Sequence, residues 1–479
     1  MNLRMKMREG HVKRRLFAAA ITMVWLSGCM VGPDYQRPPV TAPGVCRGAT
    51  PTVPDAQSIA DLKWFEVFSD EQLQELVRTA LAQNYDLRDA IARVDAARAN
   101  LGITQADQYP TFGIGADVTA NEQSRQGQFT VSRGTSRQRT FGSVFLNLFT
   151  FEIDVWGRLR RATEAARADL LATDWNRKAV ITTLISDVVT AYFNLLEADM
   201  ELDIAKNTLA TREESLRVIK VQAQGGIATL LDARQGEQLV YSAAELIPNA
   251  ERQIEQTENQ ISLLLGRNPG PIARSRLLTE QQTPPAVPAG LPSSLLERRP
   301  DIQAAEQLLI SANANIGVAR AAYFPQITLT AEAGYQSTAL SNLFSGSRRM
   351  WSFVPQLIYP IFDAGRTRSG VELAEAEQRS ALAQYEKAIQ SAFRDVSDAL
   401  VQYKKVREIR AERELLVTAL QDRKRLAYMT YRGGVDTLLN ALDADRDLLN
   451  AELSLAQARL NDLLSLVQLY KALGAGWQE

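Results

Sequence analysis

The chain has 479 residues, with 54 Lys and Arg against 55 Asp and Glu, and it contains two Cys and one His. Because the net charge is near zero and no basic block follows residue 30, the composition does not favour nucleic acid as a partner. His11 lies in a segment that we predict to be removed, so the mature chain lacks the histidine of a Ser-His-Asp or Cys-His centre or of a His-ligated metal site. We therefore predict neither an enzyme, nor a metal site, nor a bound cofactor.

Residues 1–28 have the pattern of a removable signal peptide. Basic residues precede Leu16–Leu26, an apolar run that is too short to span a membrane. The following Leu26-Ser27-Gly28-Cys29 has the pattern of a lipobox, which predicts cleavage before Cys29 and a stable lipid anchor on its thiol. Met30 comes next, and by resemblance to Gram-negative lipoproteins this directs the chain to the outer membrane. An ordinary secretion signal with a chance cysteine is the alternative.

Residues 29–60 are predicted to form a lipidated, Pro-rich N-terminal arm. Cys46 lies in this arm and is the one other cysteine of the mature chain, so an intrachain disulfide is not possible. We expect a free thiol without a function.

The rest of the chain is a tandem duplication. Val221–Ala233 recurs as Met429–Ala441, and both copies contain Gly-Gly, a β-branched residue and then Thr-Leu-Leu-(Asp/Asn)-Ala. Such self-similarity at a fixed spacing indicates one architecture built twice. We place the first structural repeat at residues 61–270 and the second at 271–479.

Each repeat is predicted to open with a helix. Ser69-Asp-Glu-Gln72 has the pattern of a capping box, and apolar residues follow at helical spacing until Tyr109-Pro110. In the second repeat, Pro300 is expected to begin a helix that ends before Pro325, because a residue before proline resists the α conformation.

Two short alternating segments follow in each repeat and are predicted to be strands. They lie at about 111–119 and 143–153 in the first repeat, and at about 326–335 and 351–360 in the second. Roughly 10 residues is the length of a strand that crosses a bilayer at a tilt. The four segments therefore predict membrane-spanning strands.

Long helices at 158–224 and 366–432 are predicted next, because these stretches contain no Pro and only one Gly. At 1.5 Å per residue each would be roughly 100 Å long. Gly225-Gly226 and Gly433-Gly434 should then break the helices, since Gly adopts positive φ freely. Return helices are predicted from about 230 to 265 and from about 437 to 473.

Four strands cannot close a barrel, and an open sheet edge is not tolerated in lipid. If the strands span the membrane, three chains would share about 12 strands, whereas two chains would give about 8 and a filled interior. The predicted fold is thus mainly α with β, a tandem-repeat protomer whose long helices form a tube or stalk and whose four strands belong to a barrel shared between chains. A soluble coiled-coil protein with incidental hairpins is the alternative.

The chain resembles the TolC-like outer-membrane factors, in particular the lipoprotein (NodT-type) branch of resistance-nodulation-division efflux systems. The resemblance is carried by Cys29–Pro38, Gly290–Ile302, Ala312–Arg320 and both Gly-Gly turns. It implies a homotrimer with one shared 12-stranded transmembrane β-barrel and a long α-helical barrel that extends into the periplasm, lipid-anchored in the outer membrane. It also implies a periplasmic adaptor and an inner-membrane resistance-nodulation-division pump as partners, the chain itself being a passive duct that exports small molecules.

The resemblance further implies a periplasmic gate at the start of the last return helix. Asp443, in Leu442-Asp443-Ala444, matches the family motif, and Leu439 and Asn440 match positions that line the closure in relatives. Asp436 is a further candidate. Three symmetry-related carboxylates at a narrow ring would repel each other and hold cations.

Other interpretations of these aspartates and turns stay open. Asp443 would otherwise be a solvated residue on a helix face, and we expect Asp445 and Asp447 to be of that kind. The Gly-Gly turns would dock the adaptor, or would serve folding alone. A lipid-anchored periplasmic enzyme and a structural coiled-coil lipoprotein are the competing functions. Neither the exported compound, nor the particular pump and adaptor, nor the resting state of the gate follows from the sequence.

Overall fold

The computed structural model describes residues 30–40, 47, 59–122, 137–281 and 295–477. The described residues form two compact units. Unit 1 comprises the described residues within Met1–Pro38, Asp95–Ala172 and Glu306–Gln384, and unit 2 those within Pro39–Val94, Thr173–Ala305 and Tyr385–Glu479. Each unit contains segments of both sequence repeats, so the duplication does not correspond to two separate compact bodies.

The described part of the chain is mainly helical, with one sheet. In chain order the elements are α1 (Trp64–Val67), α2 (Glu71–Gln83), α3 (Tyr85–Ala106), β1 (Phe112–Glu122), β2 (Gln138–Glu152), α4 (Arg158–Gln224), α5 (Leu230–Leu264), α6 (Leu295–Arg298), α7 (Pro300–Ala321), β3 (Gln326–Ser337), β4 (Arg349–Ile358), α8 (Arg366–Arg432) and α9 (Leu438–Ala472).

The first predicted helix is in fact two helices. Asp70, not Ser69, is the N-cap of α2, because its carboxylate accepts a hydrogen bond from the Leu73 amide at 3.0 Å. Asn84 has an extended ψ of 136° and separates α2 from α3. The Asn84 side chain accepts from the Leu87 amide at 2.9 Å and donates to the Leu264 carbonyl at 2.9 Å. The break is thus fixed by a contact 180 residues away, which local periodicity does not reveal.

The two long helices have the bounds that the sequence predicts. α4 and α8 each run for 67 residues without interruption. The return helices α5 and α9 each run for 35 residues, and Pro300 begins α7 as expected. Helices of this length are stabilised mainly by packing against neighbours rather than by intrinsic propensity.

The core of unit 2 lies between these helices. It is built from apolar side chains of α1, α2, α4, α8 and α9, with Tyr192 of α4 fully buried among them. The Tyr192 hydroxyl lies 3.3 Å from the carboxylate of Asp70, which also accepts from the Ser275 hydroxyl at 2.6 Å. The N-cap residue Asp70 therefore also connects α2 to other parts of the unit 2 core through buried hydrogen bonds.

The four strands form one antiparallel sheet in the order β1-β2-β3-β4, all within unit 1. β2 pairs with β3, so the central pairing joins the two sequence repeats. A bulge lies in β2 between Leu148 and Phe151. β2 also begins at Gln138, five residues before the predicted start, because pairing with β1 continues beyond the alternating apolar run.

Candidate functional site

One face of the sheet is apolar and exposed. On β1 the side chains of Phe112, Ile114 and Val118 are 62%, 83% and 67% exposed. On β4 Trp351 and Leu357 are 79% and 63% exposed. Contiguous apolar surface of this kind marks a contact with lipid or with another chain, and strands of 10 to 15 residues are long enough to cross a bilayer.

The edges of this sheet are open within one chain. β1 pairs with β2 alone and β4 with β3 alone among the described residues, so the outer N–H and C=O groups of both edge strands have no strand beside them. A sheet edge is a template for pairing with another strand, and it does not persist in the hydrocarbon region. The sheet is therefore one part of a larger closed structure if it lies in a membrane.

One described helix also has the length and apolar composition to cross a membrane. It is Arg158–Gln224, whose most apolar stretch contains few charged residues. Of that stretch 61% is buried inside the protein, as in a core helix.

The N-terminal arm is held against unit 1 by a buried arginine. Arg161 of α4 is 2% exposed and donates to Asp34 at 2.7 Å and to the Val31 carbonyl at 3.3 Å. The Val31 amide donates to the Trp156 carbonyl at 3.0 Å. These contacts fix the arm directly after the predicted lipidation site, although Cys29, like Cys46, lies outside the described residues.

Both Gly-Gly pairs end a long helix with the same capping geometry. At the first turn, the Ile227 amide bonds to the Gln222 carbonyl at 2.8 Å and the Gly226 amide to the Ala223 carbonyl at 3.1 Å. This is the Schellman pattern of a helix C-terminus. Val435 and Gly434 repeat it on Thr430 and Tyr431 at 3.0 Å each.

Only the second glycine of each pair needs to be glycine for its backbone. Gly226 and Gly434 have φ of +77° and +74°, whereas Gly225 and Gly433 do not have positive φ. The structure also brings the two turns close together, since Tyr431 donates to the Gln222 side chain at 2.9 Å. The four glycines thus lie at one end of the helices of unit 2.

The predicted gate residues lie in the first turns of α9 and in the turn before it. Asp436 accepts from the Thr437 amide at 2.7 Å and from the Asn440 side chain at 2.6 Å. Leu439 is half exposed. The carboxylate of Asp443 lies 3.2 Å from the guanidinium of Arg446, one turn further along the same helix.

This arrangement brings Asp436 and Asn440 together and gives Asp443 a cation as its partner. The negative charge at Asp443 is therefore partly compensated by Arg446, which the sequence analysis did not consider. Asp443 and Arg446 are three residues apart on a helix. This spacing could have predicted their contact, because i and i+3 side chains are neighbours on a helix surface.

Asp445 is not solvated, contrary to the prediction. Its side chain is 2% exposed and lies 2.7 Å from Nε of Arg212 on α4 and 2.5 Å from Nζ of Lys424 on α8. Arg212 also donates to the Leu239 carbonyl of α5 at 2.8 Å. One buried network thus connects all four long helices of unit 2. Asp447, by contrast, is 34% exposed and paired with Arg423 at 2.7 Å, as a residue on a helix face would be.

The prediction for Asp445 failed because its partners are distant in sequence. Arg212 precedes it by 233 residues, and nothing in the local pattern of α9 distinguishes it from Asp443 or Asp447. Its burial is decided by the packing of α4 and α8 against α9.

Comparison with known proteins is consistent with this geometry. The family model described as outer membrane efflux protein matches residues 76–267 and 291–475. The toluene efflux pump outer membrane protein TtgC of Pseudomonas putida is 39% identical over 472 residues, which cover 97% of this chain and 96% of TtgC. The cation efflux system protein CusC of Escherichia coli is 35% identical, over 95% of this chain and 97% of CusC. The solved structure of the open state of the Neisseria gonorrhoeae MtrE outer membrane channel superposes with a TM-score of 0.85 at 32% identity, covering 94% of this chain and 99% of that one.

The chain therefore belongs to the outer membrane efflux protein family. Its fold is that of the outer-membrane channels of efflux systems, as the sequence resemblance implied. The protein is an outer-membrane channel component of an efflux system.

Proposed function

We propose that three copies of this chain form a lipid-anchored, passive conduit that receives small molecules from a periplasmic adaptor and an inner-membrane pump. The observation that carries the proposal is the open four-stranded sheet with an exposed apolar face. In lipid both edges must be paired, and β1 of one copy can pair with β4 of the next. Three copies close about 12 strands, whereas two close about 8 and leave an interior filled by side chains.

The first turns of α9 support a conduit that narrows at one ring. They present an apolar and an acidic position, Leu439 and Asp443, one turn apart. Three copies of such a surface around an axis would form a narrow ring that filters by size and charge.

Cargo selection is proposed to lie outside this chain. The named relatives include a toluene pump component at 39% identity and a cation system component at 35%. Two proteins that each resemble this chain over nearly their whole length are thus named for very different compounds. We therefore assign cargo choice to the pump and passage to this channel.

The trimer is tested by disulfide cross-linking of the two sheet edges. In a Cys46→Ser background, one cysteine is placed on β1 (Ile114 or Ala116) and one on β4 (Phe353 or Val354). Within one chain these strands are three spacings apart, about 14 Å, which is beyond the reach of a disulfide. Oxidised double-cysteine variants should run as covalent trimers in denaturing gels.

The single-cysteine variants are the matched controls, because each can give dimers at most. Unheated wild type should also migrate as a trimer and conduct ions in a planar bilayer. Covalent dimers without trimers across all pairs, or a monomeric native mass with no conductance, would contradict the proposed assembly.

A further inference from the structure

The face of the sheet opposite to the exposed apolar one is polar. Ser143 of β2 pairs with Asp117 of β1, and Asn147 of β2 pairs with Glu332 of β3. Successive residues of a strand point to opposite faces, so these side chains lie on the other side of the sheet from Ile114. In the proposed conduit the apolar face meets lipid, and this polar face therefore lines the lumen.

Two phenylalanines of β2 interrupt the polar face. Phe145 pairs with Gly115 of β1 on one side and with Gly334 of β3 on the other. Side chains of a strand normally stand roughly perpendicular to the sheet. The Phe145 ring leans over β1 instead, because its Cε2 lies 2.6 Å from the position that a Cβ at Gly115 would take. Cε2 of Phe149 lies at the same distance, 2.6 Å, from the position of a Cβ at Gly113. Each ring therefore occupies the place of a side chain on the neighbouring strand.

Glycine is required at these two positions of β1 for space and not for backbone conformation. Neither Gly113 nor Gly115 has positive φ, and two carbons in contact are about 3.5–4.0 Å apart. A Cβ at either position would thus overlap with the far end of a phenylalanine side chain, which can rotate to another staggered conformation. At Gly334 a Cβ would instead lie 2.6 Å from the Cα of Phe145, which is backbone. A larger residue at 113 or 115 therefore moves a ring, whereas one at 334 moves a strand.

A displaced ring has open space on the side away from the sheet. Phe149 is 52% exposed and Phe145 is partly exposed, although both rings rest on β1. A ring that leaves its glycine and stands perpendicular to the sheet therefore projects into the space that the polar face borders. In three copies, two such rings from each chain would surround the lumen close to one level. The position of the rings thus decides how wide the conduit is between the strands.

We propose that Phe145 and Phe149 set the size limit for cargo at the level of the strands, because they lie over Gly115 and Gly113 and keep the lumen clear. An aromatic ring that covers a glycine of an edge strand also stabilises the sheet, so the wide lumen is the favoured arrangement. This inference rests on the proposed function, since the polar face encloses a lumen only in the closed barrel.

The test measures single-channel conductance of the full-length protein in planar bilayers, with polyethylene glycols of increasing size as probes of the lumen. Gly115→Ala and then Gly115→Val should progressively lower the size of the largest polymer that enters. Gly113→Val with Gly115→Val should roughly halve the conductance, because both rings of each chain then stand in the lumen. Every variant is also measured with Asp443→Ala, so that the proposed gate does not limit the current. Ala116→Val is the matched control, because Ala116 lies on the opposite face of the same strand.

Removal of the ring separates its effect from that of the added side chain. Phe145→Ala in the Gly115→Val chain should restore the polymer size limit of the wild type. Phe145→Ala with Phe149→Ala in the wild-type chain should raise that limit by less than the two valines lower it, since the rings already rest on the sheet.

A narrowing that Phe145→Ala does not reverse would overturn the proposal, because it would then come from valine or from a distorted barrel. An unchanged size limit in a Gly115→Val trimer, even one with a lower Tm, would also overturn it, since the rings would then serve sheet packing alone. If Gly115→Val does not form trimers, Gly115→Ala carries the same comparison. A wild type without trimers or conductance would instead contradict the proposed conduit.

Discussion

At the scale of single residues, the first turns of α9 contain three aspartates with three different environments. Asp443 is partly exposed and pairs with Arg446 on its own helix, Asp445 is buried between cations of two other helices, and Asp447 is paired at the surface. An exposed carboxylate is solvated by water, whereas a buried one has lost that solvation and depends on its partners. The same substitution should therefore have a different effect on stability at each position.

Asp445→Ala should destabilise the protein strongly. It leaves the buried guanidinium of Arg212 without its anion, and removal of one partner of a buried pair costs about 3–5 kcal/mol. We expect a fall in Tm of several degrees in a detergent melt. Asp447→Ala is the control, with an expected cost of about 0–1 kcal/mol. Equal melting temperatures for the two variants would show that the buried network does not stabilise the fold.

Asp443→Ala should open the proposed gate. It removes the charge and the contact with Arg446, so single-channel conductance in bilayers should rise and cation preference should fall. Cells should also admit bulky antibiotics that the outer membrane normally excludes. Asn440→Ala added to this variant should increase the effect.

The partner residue supplies the opposite test. Arg446→Ala leaves Asp443 uncompensated, so cation preference should increase in the same bilayer assay. Unchanged conductance and selectivity in Asp443→Ala, in the double variant and in Arg446→Ala would place the gate elsewhere.

At the scale of elements, each helical hairpin is defined by one glycine conformation. Gly226 and Gly434 adopt positive φ in matching Schellman caps, and an added Cβ at either would meet open space. The requirement is therefore one of backbone conformation and not of close packing. The exposed position of the two turns is compatible with the proposed docking of an adaptor.

Gly434→Ala should impair export more than Gly433→Ala. An L-residue at φ of +74° costs roughly 1–2 kcal/mol, whereas an added Cβ at Gly433 makes only ordinary contacts of 3.4 Å or more. Export and adaptor binding should fail in Gly434→Ala while trimers and lipidation persist. Loss of the trimers themselves would leave the turn with a folding role alone.

At the scale of the whole molecule, the described start of the N-terminal arm and the four strands belong to the same unit. The described part of the arm begins at Met30. Its side chain packs against Gly157, the residue that follows Trp156.

Mass spectrometry of the mature N-terminal peptide should show an acylated Cys29. Cys29→Ser should yield an unprocessed, unlipidated chain, because the lipobox requires the thiol. Asp34→Ala is a useful companion, since it removes an anion of Arg161 and should loosen the arm without blocking acylation. Cleavage at another position with unmodified Cys29 would contradict the lipoprotein assignment.

The sequence alone determined the features that depend on neighbours along the chain. The bounds of α4 and α8, the Gly-Gly turns and the presence of four strands follow from periodicity, from the absence of Pro and from backbone preferences of Gly. The duplication and the family resemblance follow from motifs at fixed spacing. These are local properties, and local physics is visible in a sequence.

Only the tertiary structure decided which distant residues meet. It placed Asn84 against the Leu264 carbonyl and so divided the first helix, and it buried Asp445 between Arg212 and Lys424. It also paired β2 with β3 across the two repeats. In each case the contact is made by helices or strands that are distant along the chain. The burial of a group such as the Asp445 carboxylate that results from such packing is not visible in the local sequence pattern.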